Sequence, residues 1–359
     1  MSFKQTVSKI LIKYQTVSLK EKLFFIENLR VMLKAGLSFT EALVTLAMQT
    51  NNKKFKGVID EIRASVEKGD ALSTSFARYP KIFSSFVINM VQAGEASGML
   101  EKNLEEISLQ MKKDNELLSK IKSAMAYPIV IVAATVCVGI LMIIYVLPSI
   151  LSIFADINIK LPLATRILIA ISSSLLNYGI YIGIAVIILS TLFMLTVRST
   201  RGRPVFHHVL LRIPIFGNII KKINLARFSR TLSSLLSTDI QIIRSFQITA
   251  TVVGNISYSN ALNRTADTLK EGSSITDNLK KYPYLFPPLV TQMVAVGERS
   301  GNTDQLLAEL ADFYEAEVSD ITKSLSSIIE PVIIIFLGAV VAGMAVAVIS
   351  PIYSLSEQI

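Results

Sequence analysis

Few side chains in this chain are placed to do chemistry. His207-His208 offers two imidazoles, a possible pair of metal ligands. Neighbouring helical residues face different directions, and no Cys or carboxylate nearby completes a ligand set, so the expectation is a solvated pair. Glu105-Glu106 offers paired carboxylates, read as a solvated helix face. Cys137 is the single cysteine, which excludes an intramolecular disulfide and a cysteine-based zinc site. In its apolar run it serves as a small hydrophobe. No GxxxxGK[ST] stretch cradles a nucleotide, so any ATP hydrolysis must come from a partner. Paired catalytic carboxylates, a zinc motif and a serine constellation are all missing from the apolar segments, and no enzyme activity, cofactor or metal is expected.

One short pattern does stand out, because it occurs twice. Gly94-Glu95-x-Ser97-Gly98 returns as Gly297-Glu298-x-Ser300-Gly301. Glycines allow close backbone approach. Glu or Ser can accept from the free amides at a helix start. The motif can therefore be a partner-contact surface or a structural turn that closes a helix–helix corner. The second use is preferred, although matched copies suit either.

The pattern belongs to a larger repeat. Shifted by 203 residues, the chain lands on itself without a gap. Tyr79-Pro80 meets Tyr282-Pro283, Phe83 meets Phe286, Val87 meets Val290 and Met90-Val91 meets Met293-Val294. Ten of the twenty residues from Tyr79 to Gly98 are identical at this displacement, and Phe25, Leu29, Leu33, Gly69, Leu104 and Pro128 also find their counterparts. Self-similarity at one fixed period indicates duplicated structure.

The composition must also separate into blocks, since 51% of the residues are hydrophobic while 18% are charged. Three stretches carry no charge: Ser123 to Ala155, Ile167 to Val197 and Pro331 to Ser356. Each exceeds the ~20 residues that a helix needs to cross a bilayer. Twelve Ile, Leu or Val residues between Ile129 and Leu147 favour insertion, and no charge opposes them. Gly179-x-x-x-Gly183 and Ala339-x-x-x-Gly343 are weak helix-packing signals of a kind common in such segments.

Two direct copies of one soluble domain should share a compartment, which requires an even number of spans between them. Lys112, Lys113, Lys120 and Lys122 precede the first span, and Arg198, Arg201 and Arg203 follow the second. The loop between those spans has only Lys160 and Arg166, against Asp156, and the tail has Glu357 without Lys or Arg. Positive flanks stay inside, so both repeats are expected in the cytoplasm, with the short loop and C-terminus outside. The net charge of +9 is mostly this signal, with some attraction to membrane lipid. Nucleic acid is not expected as a partner, because no aromatic residues interleave a basic stripe.

Within a repeat the pattern is helical. Phe25, Leu29, Met32, Leu33 and Leu37 recur at three- and four-residue spacings. Ala35-Gly36 offers a helix end, and Ser38 with Glu41 a capping box for the next helix. Lys68-Gly69-Asp70 and Tyr79-Pro80 mark further breaks. The expected fold is an all-α integral membrane protein with two homologous cytoplasmic helical-bundle domains, about six helices each, and three transmembrane helices. The expected layout is an N-terminal arm (1–19), repeat one (20–122), the first span (123–155), an external loop (156–166) and the second span (167–197). A basic linker (198–222), repeat two (223–327), the third span (328–354) and an external tail (355–359) follow. Pro128 either begins the first span or kinks a continuous helix.

Three local motifs then carry a resemblance. Lys120-Ile121-x-x-Ala124-Met125-x-Tyr127-Pro128 stands at the mouth of the first span, and Val146-Leu147-Pro148 closes it. Pro331 repeats Pro128 at the third span. Leu211-Arg212-x-Pro214-x-Phe216-Gly217 opens repeat two, and the Gly-Glu-x-Ser-Gly turn lies in both repeats. Together with the duplication, and over roughly Leu19 to Tyr353, the chain resembles the type II secretion F / type IV pilus inner-membrane platform proteins. It departs from them at Thr238-Asp239, where relatives usually carry Ala-Gly. Some relatives bind calcium through two carboxylates one helical turn apart. Here Glu105 is followed by Leu109, and no metal is expected.

The resemblance implies a scaffold in the bacterial inner membrane. Its implied partners are a hexameric assembly ATPase on the cytoplasmic side, pilin or pseudopilin subunits, other inner-membrane assembly proteins and further copies of itself as a homo-oligomer. The alternative is a small oligomeric transporter or channel. Spans without one internal charge speak against that, because transport paths place ionisable groups in the membrane.

Overall fold

Helix boundaries follow the local chemistry of the sequence. The computed structural model describes residues 16–146, 163–199, 202–213, 216–238 and 240–356, and among these the regular structure is helical, without strands. Repeat one folds as α1 (Leu19–Lys34), α2 (Phe39–Gln49), α3 (Lys53–Glu67), α4 (Leu72–Ala77), α5 (Ser85–Ser97) and the long α6 (Leu100–Leu141), which ends in a π-helical turn at Met142–Val146. Then come α7 (Leu163–Arg198) and α8 (Gly202–Arg212). Repeat two folds as α9 (Phe216–Leu236), α10 (Ile242–Val252), α11 (Ile256–Leu269), α12 (Ile275–Lys280), α13 (Pro288–Ser300) and α14 (Thr303–Ser356). Each repeat thus has six helices in the same order. The first helix of repeat two begins at Phe216, inside the stretch read from sequence as linker.

Caps account for most of the starts. Ser18 and Ser38 each form a complete capping box, with Glu21 and Glu41. The Asn52 carboxamide oxygen accepts from the amides of Lys54 and Phe55 to begin α3. Gly36, Gly69, Gly98, Gly272 and Gly301 take positive φ at the helix ends, where a Cβ would be strained.

The two repeats form one compact unit (1–119 with 207–319). Each has an aromatic centre. Phe76 stacks on Phe83 with ring centres 4.0 Å apart, and Phe25 meets Phe55 edge-on at 5.4 Å. In repeat two Phe228, Tyr258 and Phe286 stand at the places of Phe25, Phe55 and Phe83, with Phe228 meeting Phe286 at 5.3 Å and Phe286 meeting Tyr258 at 5.5 Å. The buried Tyr258 hydroxyl donates to the carbonyl of Leu285, so the polar end of this ring is satisfied. Leu235 and Ile248 of repeat two are buried in the core cluster of repeat one.

The second unit comprises 120–206 and 320–359. Two helices, α6 and Leu176–Val197 within α7, are long and apolar enough to cross a membrane. Their apolar side chains are open, with Ile180 80% and Ile187 67% exposed. A water-soluble fold buries such residues, so these helices suit a membrane protein. In α14 a shorter apolar helical stretch covers Ile333–Gly343.

The Ser38 cap gives a direct test. Replacing Ser38 with Ala is expected to cost about 1 kcal/mol in the stability of the unit formed by the repeats, read by chemical denaturation. The Ser38 hydroxyl and amide bonds hold the Glu41 carboxyl below its ordinary value. A depressed carboxyl stabilises the fold above its unfolded value and loses that contribution as pH falls through the folded one. The acid limb of unfolding should therefore be shallower in Glu41→Gln than in the parent.

Candidate functional site

The repeated Gly-Glu-x-Ser-Gly segment closes α5 and turns the chain into α6. Gly98 ends α5 with φ 69°, a left-handed residue that reverses the chain. Gly94 is buried, and a Cβ there would lie 2.8 Å from the Cα of Leu100. Only glycine lets α5 approach the start of α6 so closely. The Asn103 side chain then donates to the Met90 carbonyl at 2.8 Å and ties the two helices together. Ser97 is exposed, and its hydroxyl donates to the Ala93 carbonyl one turn back.

Glu95 does its bonding elsewhere. Its half-buried carboxylate accepts from the amides of Leu72 and Ser73, at 2.5 and 3.2 Å, and from the Ser73 hydroxyl at 2.5 Å. These are the free amides at the start of α4, whose own N-cap, Ala71, has no side chain to offer them. The carboxylate caps a helix more than twenty residues earlier, and the negative charge suits the positive end of that helix.

Repeat two reproduces the arrangement. Glu298 accepts from the amides of Ile275 and Thr276, at 2.5 and 2.9 Å, and from the Thr276 hydroxyl. Gly301 has φ 77°, and a Cβ on Gly297 would lie 2.9 Å from the Cα of Thr303. Ser300 bonds weakly back to the Gly297 carbonyl at 3.5 Å. From sequence the Ser or Glu was expected at the start of a neighbouring helix. The structure separates the two, since only the Glu caps and the Ser bonds to its own helix.

Sequence reasoning missed the charged seam between α6, α9 and α14. Arg230 is 8% exposed and donates to Glu315 at 2.9 Å and to Asp312. Burial opposes its charge, but the two carboxylates outweigh that and raise its pKa. Lys113 of repeat one reaches the same Glu315 at 3.0 Å. Arg227 donates to Asp114 at 3.2 Å, and burial of Asp114 pushes its carboxyl upward despite that partner. The missed signal lies in the repeat itself. Glu27 pairs with Lys112 in repeat one at 2.6 Å, whereas the matching positions in repeat two hold Arg230 and Glu315. The same contact is kept with its polarity reversed.

His207 also differs from the expected solvated pair. Its Nδ1 accepts from the Ile256 amide at 3.1 Å, and its carbonyl accepts from the Asn255 side chain at 3.2 Å. It thus helps hold the start of α11, whereas His208 is exposed. Adjacent positions in α8 point to different surroundings, as helical geometry requires.

In the membrane-side motif, Lys120 and Tyr127 are exposed. Pro128 is buried within the continuous α6, where it removes the hydrogen bond to the carbonyl four residues back, that of Ala124. Pro331 is exposed within α14. Pro148 lies outside the described residues.

Glu95→Ala and Glu298→Ala are each expected to lower stability by about 2 kcal/mol, because each leaves two helix-start amides without a charged partner. Gly94→Ala should also destabilise. Gly57→Ala, in α3 where nothing lies within 4 Å of an added Cβ, should gain roughly 0.5–1 kcal/mol. Arg230→Ala leaves the half-buried Glu315 with Lys113 as its remaining partner and is expected to cost about 1.5–3 kcal/mol. Denaturant titration of the purified variants reads all of these changes.

Comparison with known proteins accounts for the duplication. The family model described as "Type II secretion system (T2SS), protein F" matches residues 25–148 and again 228–351, with the same displacement of 203 residues. The type IV pilus assembly protein PilC of Thermus thermophilus is 36% identical over 337 residues, covering 94% of this chain and 83% of that protein. PilC of Myxococcus xanthus is 33% identical over 340 residues, covering 95% and 81%. The type II secretion system protein F of Pseudomonas aeruginosa is 30% identical over 332 residues, covering 92% and 82%. With two complete matches spanning more than half its length, the chain belongs to the type II secretion system protein F family.

Proposed function

We propose that this chain is the inner-membrane platform of a filament-assembly machine of the type IV pilus or type II secretion kind. The observation that carries this reading is the paired architecture. Two copies of the family domain each feed their last helix, α6 or α14, into an apolar stretch. A protein of this design holds the two repeats at a membrane. In this reading a cytoplasmic assembly ATPase supplies the work by engaging the repeats, and pilin or pseudopilin subunits join the filament beside the spans.

Three spans and a cytoplasmic location for both repeats complete the proposal. α14 supplies the third span by analogy with α6, since Pro331 stands at the place of Pro128. Lysines before the first span and arginines after the second favour an inside location for both repeats. Gly94, Glu95, Ser97, Gly98 and their copies act here as corner residues, with the exposed Ser97 and Ser300 sides the closest to any partner. The bonds of Glu95 and Glu298 to helix-start amides support this.

Two measurements test the reading. In intact cells carrying a Cys137→Ala background, Lys160→Cys should react with an impermeant maleimide, and Lys54→Cys should react only after lysis. Photo-crosslinkers placed at positions 97 and 300 should capture a hexameric ATPase or another assembly component, and deletion should abolish filaments or secretion. If filaments and secretion persist in the deletion strain, and reconstituted liposomes instead pass solutes, the transporter alternative replaces the platform.

A further inference from the structure

The two repeats are packed head to tail, although their sequences are copies. Repeat one uses α5 and α6, and repeat two uses mainly α9 and α10, with Asp312 and Glu315 of α14 adding ion pairs to Lys113. Gln110 donates to Thr231 at 3.3 Å, Arg227 donates to Asp114 at 3.2 Å, and Arg244 reaches Asn89 at 2.9 and 3.1 Å. Phe86 and Gln110 share one groove with Thr251 and Val252. The converse pairing would put α13 and α14 of repeat two against α1 and α2 of repeat one. Packing of α13 on α2 comparable to that of α5 on α10 is absent among the described residues.

A head-to-tail contact leaves one unused copy of each surface. Both unused copies are marked by exposed apolar residues where their counterparts are buried. Phe86 is 3% exposed and its counterpart Leu289 41%. Gln110 is 3% exposed, whereas Phe313 at the matching position is 46%. On the opposite face, Ser234 is 3% exposed and its counterpart Val31 49%, and Phe24 stands 47% exposed at the place of Arg227. The face that is already covered inside the chain combines Phe86, Leu235 and Ile248 with Gln110, Arg227 and Ser234, while the free copies expose Leu289 and Phe313 on one side and Phe24 and Val31 on the other. Exposed apolar side chains clustered on a face mark an interaction surface.

We propose that a second copy of this chain docks here, its α1–α2 face on the α13–α14 face of the first, continuing the contact that joins the repeats within one chain. Such an interface is heterologous, so successive copies add in one direction and form a ring or an open array. The proposal does not depend on which machine the protein serves.

The internal contact supplies the test positions. Gln110 and Thr231 correspond to Phe313 and Asn28. In full-length protein in membranes, with Cys137→Ala as background, one tagged chain carries Asn28→Cys and a second carries Phe313→Cys. A short bismaleimide should link the two chains only when both are co-expressed. A single chain bearing both substitutions should give a ladder of dimers and larger species. Gln110→Cys with Thr231→Cys serves as the internal control and should crosslink within one chain. Leu289→Asp is expected to lower the interchain yield about tenfold, as loss of a central apolar contact does, and to leave the control crosslink unchanged. Dimers from either single variant alone would mean a symmetric contact and overturn the proposal. Monomers from the co-expressed pair, with the control intact, would overturn it equally.

Discussion

The unit formed by the two repeats depends on one asymmetric act of packing. Leu235 and Ile248 of repeat two are fully inside the core of repeat one, so repeat one completes its core with side chains more than a hundred residues away. Burying side chains of that size is worth about 1.5–3 kcal/mol each. Repeat one is therefore not an independent bundle in this chain, and repeat two in turn takes Leu117 of α6 into its own core, despite the shared helix order. The duplication supplied two equivalent folds, and the head-to-tail contact made their surfaces inequivalent.

Electrostatics reinforces that inequivalence. The pair Glu27–Lys112 becomes Arg230–Glu315 in the second copy. Reversal leaves the pairing within each repeat intact and changes what each can meet outside it. Lys113 can reach Glu315 because repeat two presents a carboxylate there. Had repeat two kept a lysine at that position, two cations would face each other in a half-buried seam. Like charges at such a place cost free energy, and this excludes the wrong pairing of repeats. Because Arg230 is buried and Glu315 is only 12% exposed at its side chain, salt screens this selection weakly.

Much of the helix order could be read from the residues, because its signals are local. The Ser38 and Glu41 capping box, the Gly36 and Gly69 helix ends and the Tyr79-Pro80 break each act within a few residues and need no tertiary partner. The corner was legible only in part. Glycines at 94 and 98 announce a close turn, but nothing in the spacing says that the Glu95 carboxylate will reach across to Leu72 and Ser73. That bond depends on how α4 packs on α5. The seam was hidden for the same reason, although the coupled exchange at 27/230 and 112/315 was present in the repeat to be found. His207 looked solvated because its partner, the Ile256 amide, arrives from α11.

The corner also explains why the motif survives in both copies while the surfaces around it diverge. Gly94 and Gly297 are constrained by the backbone of the next helix, at Leu100 and Thr303. Glu95 and Glu298 are constrained by amides at the start of α4 and α12. Both constraints come from main-chain atoms, which no substitution elsewhere removes. Side-chain contacts can change by exchanging both partners together, as the reversed ion pair does. A contact to backbone has no such exchange available, because the amide is present whatever residue carries it. Identity at the corner therefore follows from side chains that answer to main chain, while identity at Phe83, Val87 and Val91 follows from burial in each core. The residues that differ, such as Gln110 against Phe313, lie where a side chain answers to another surface.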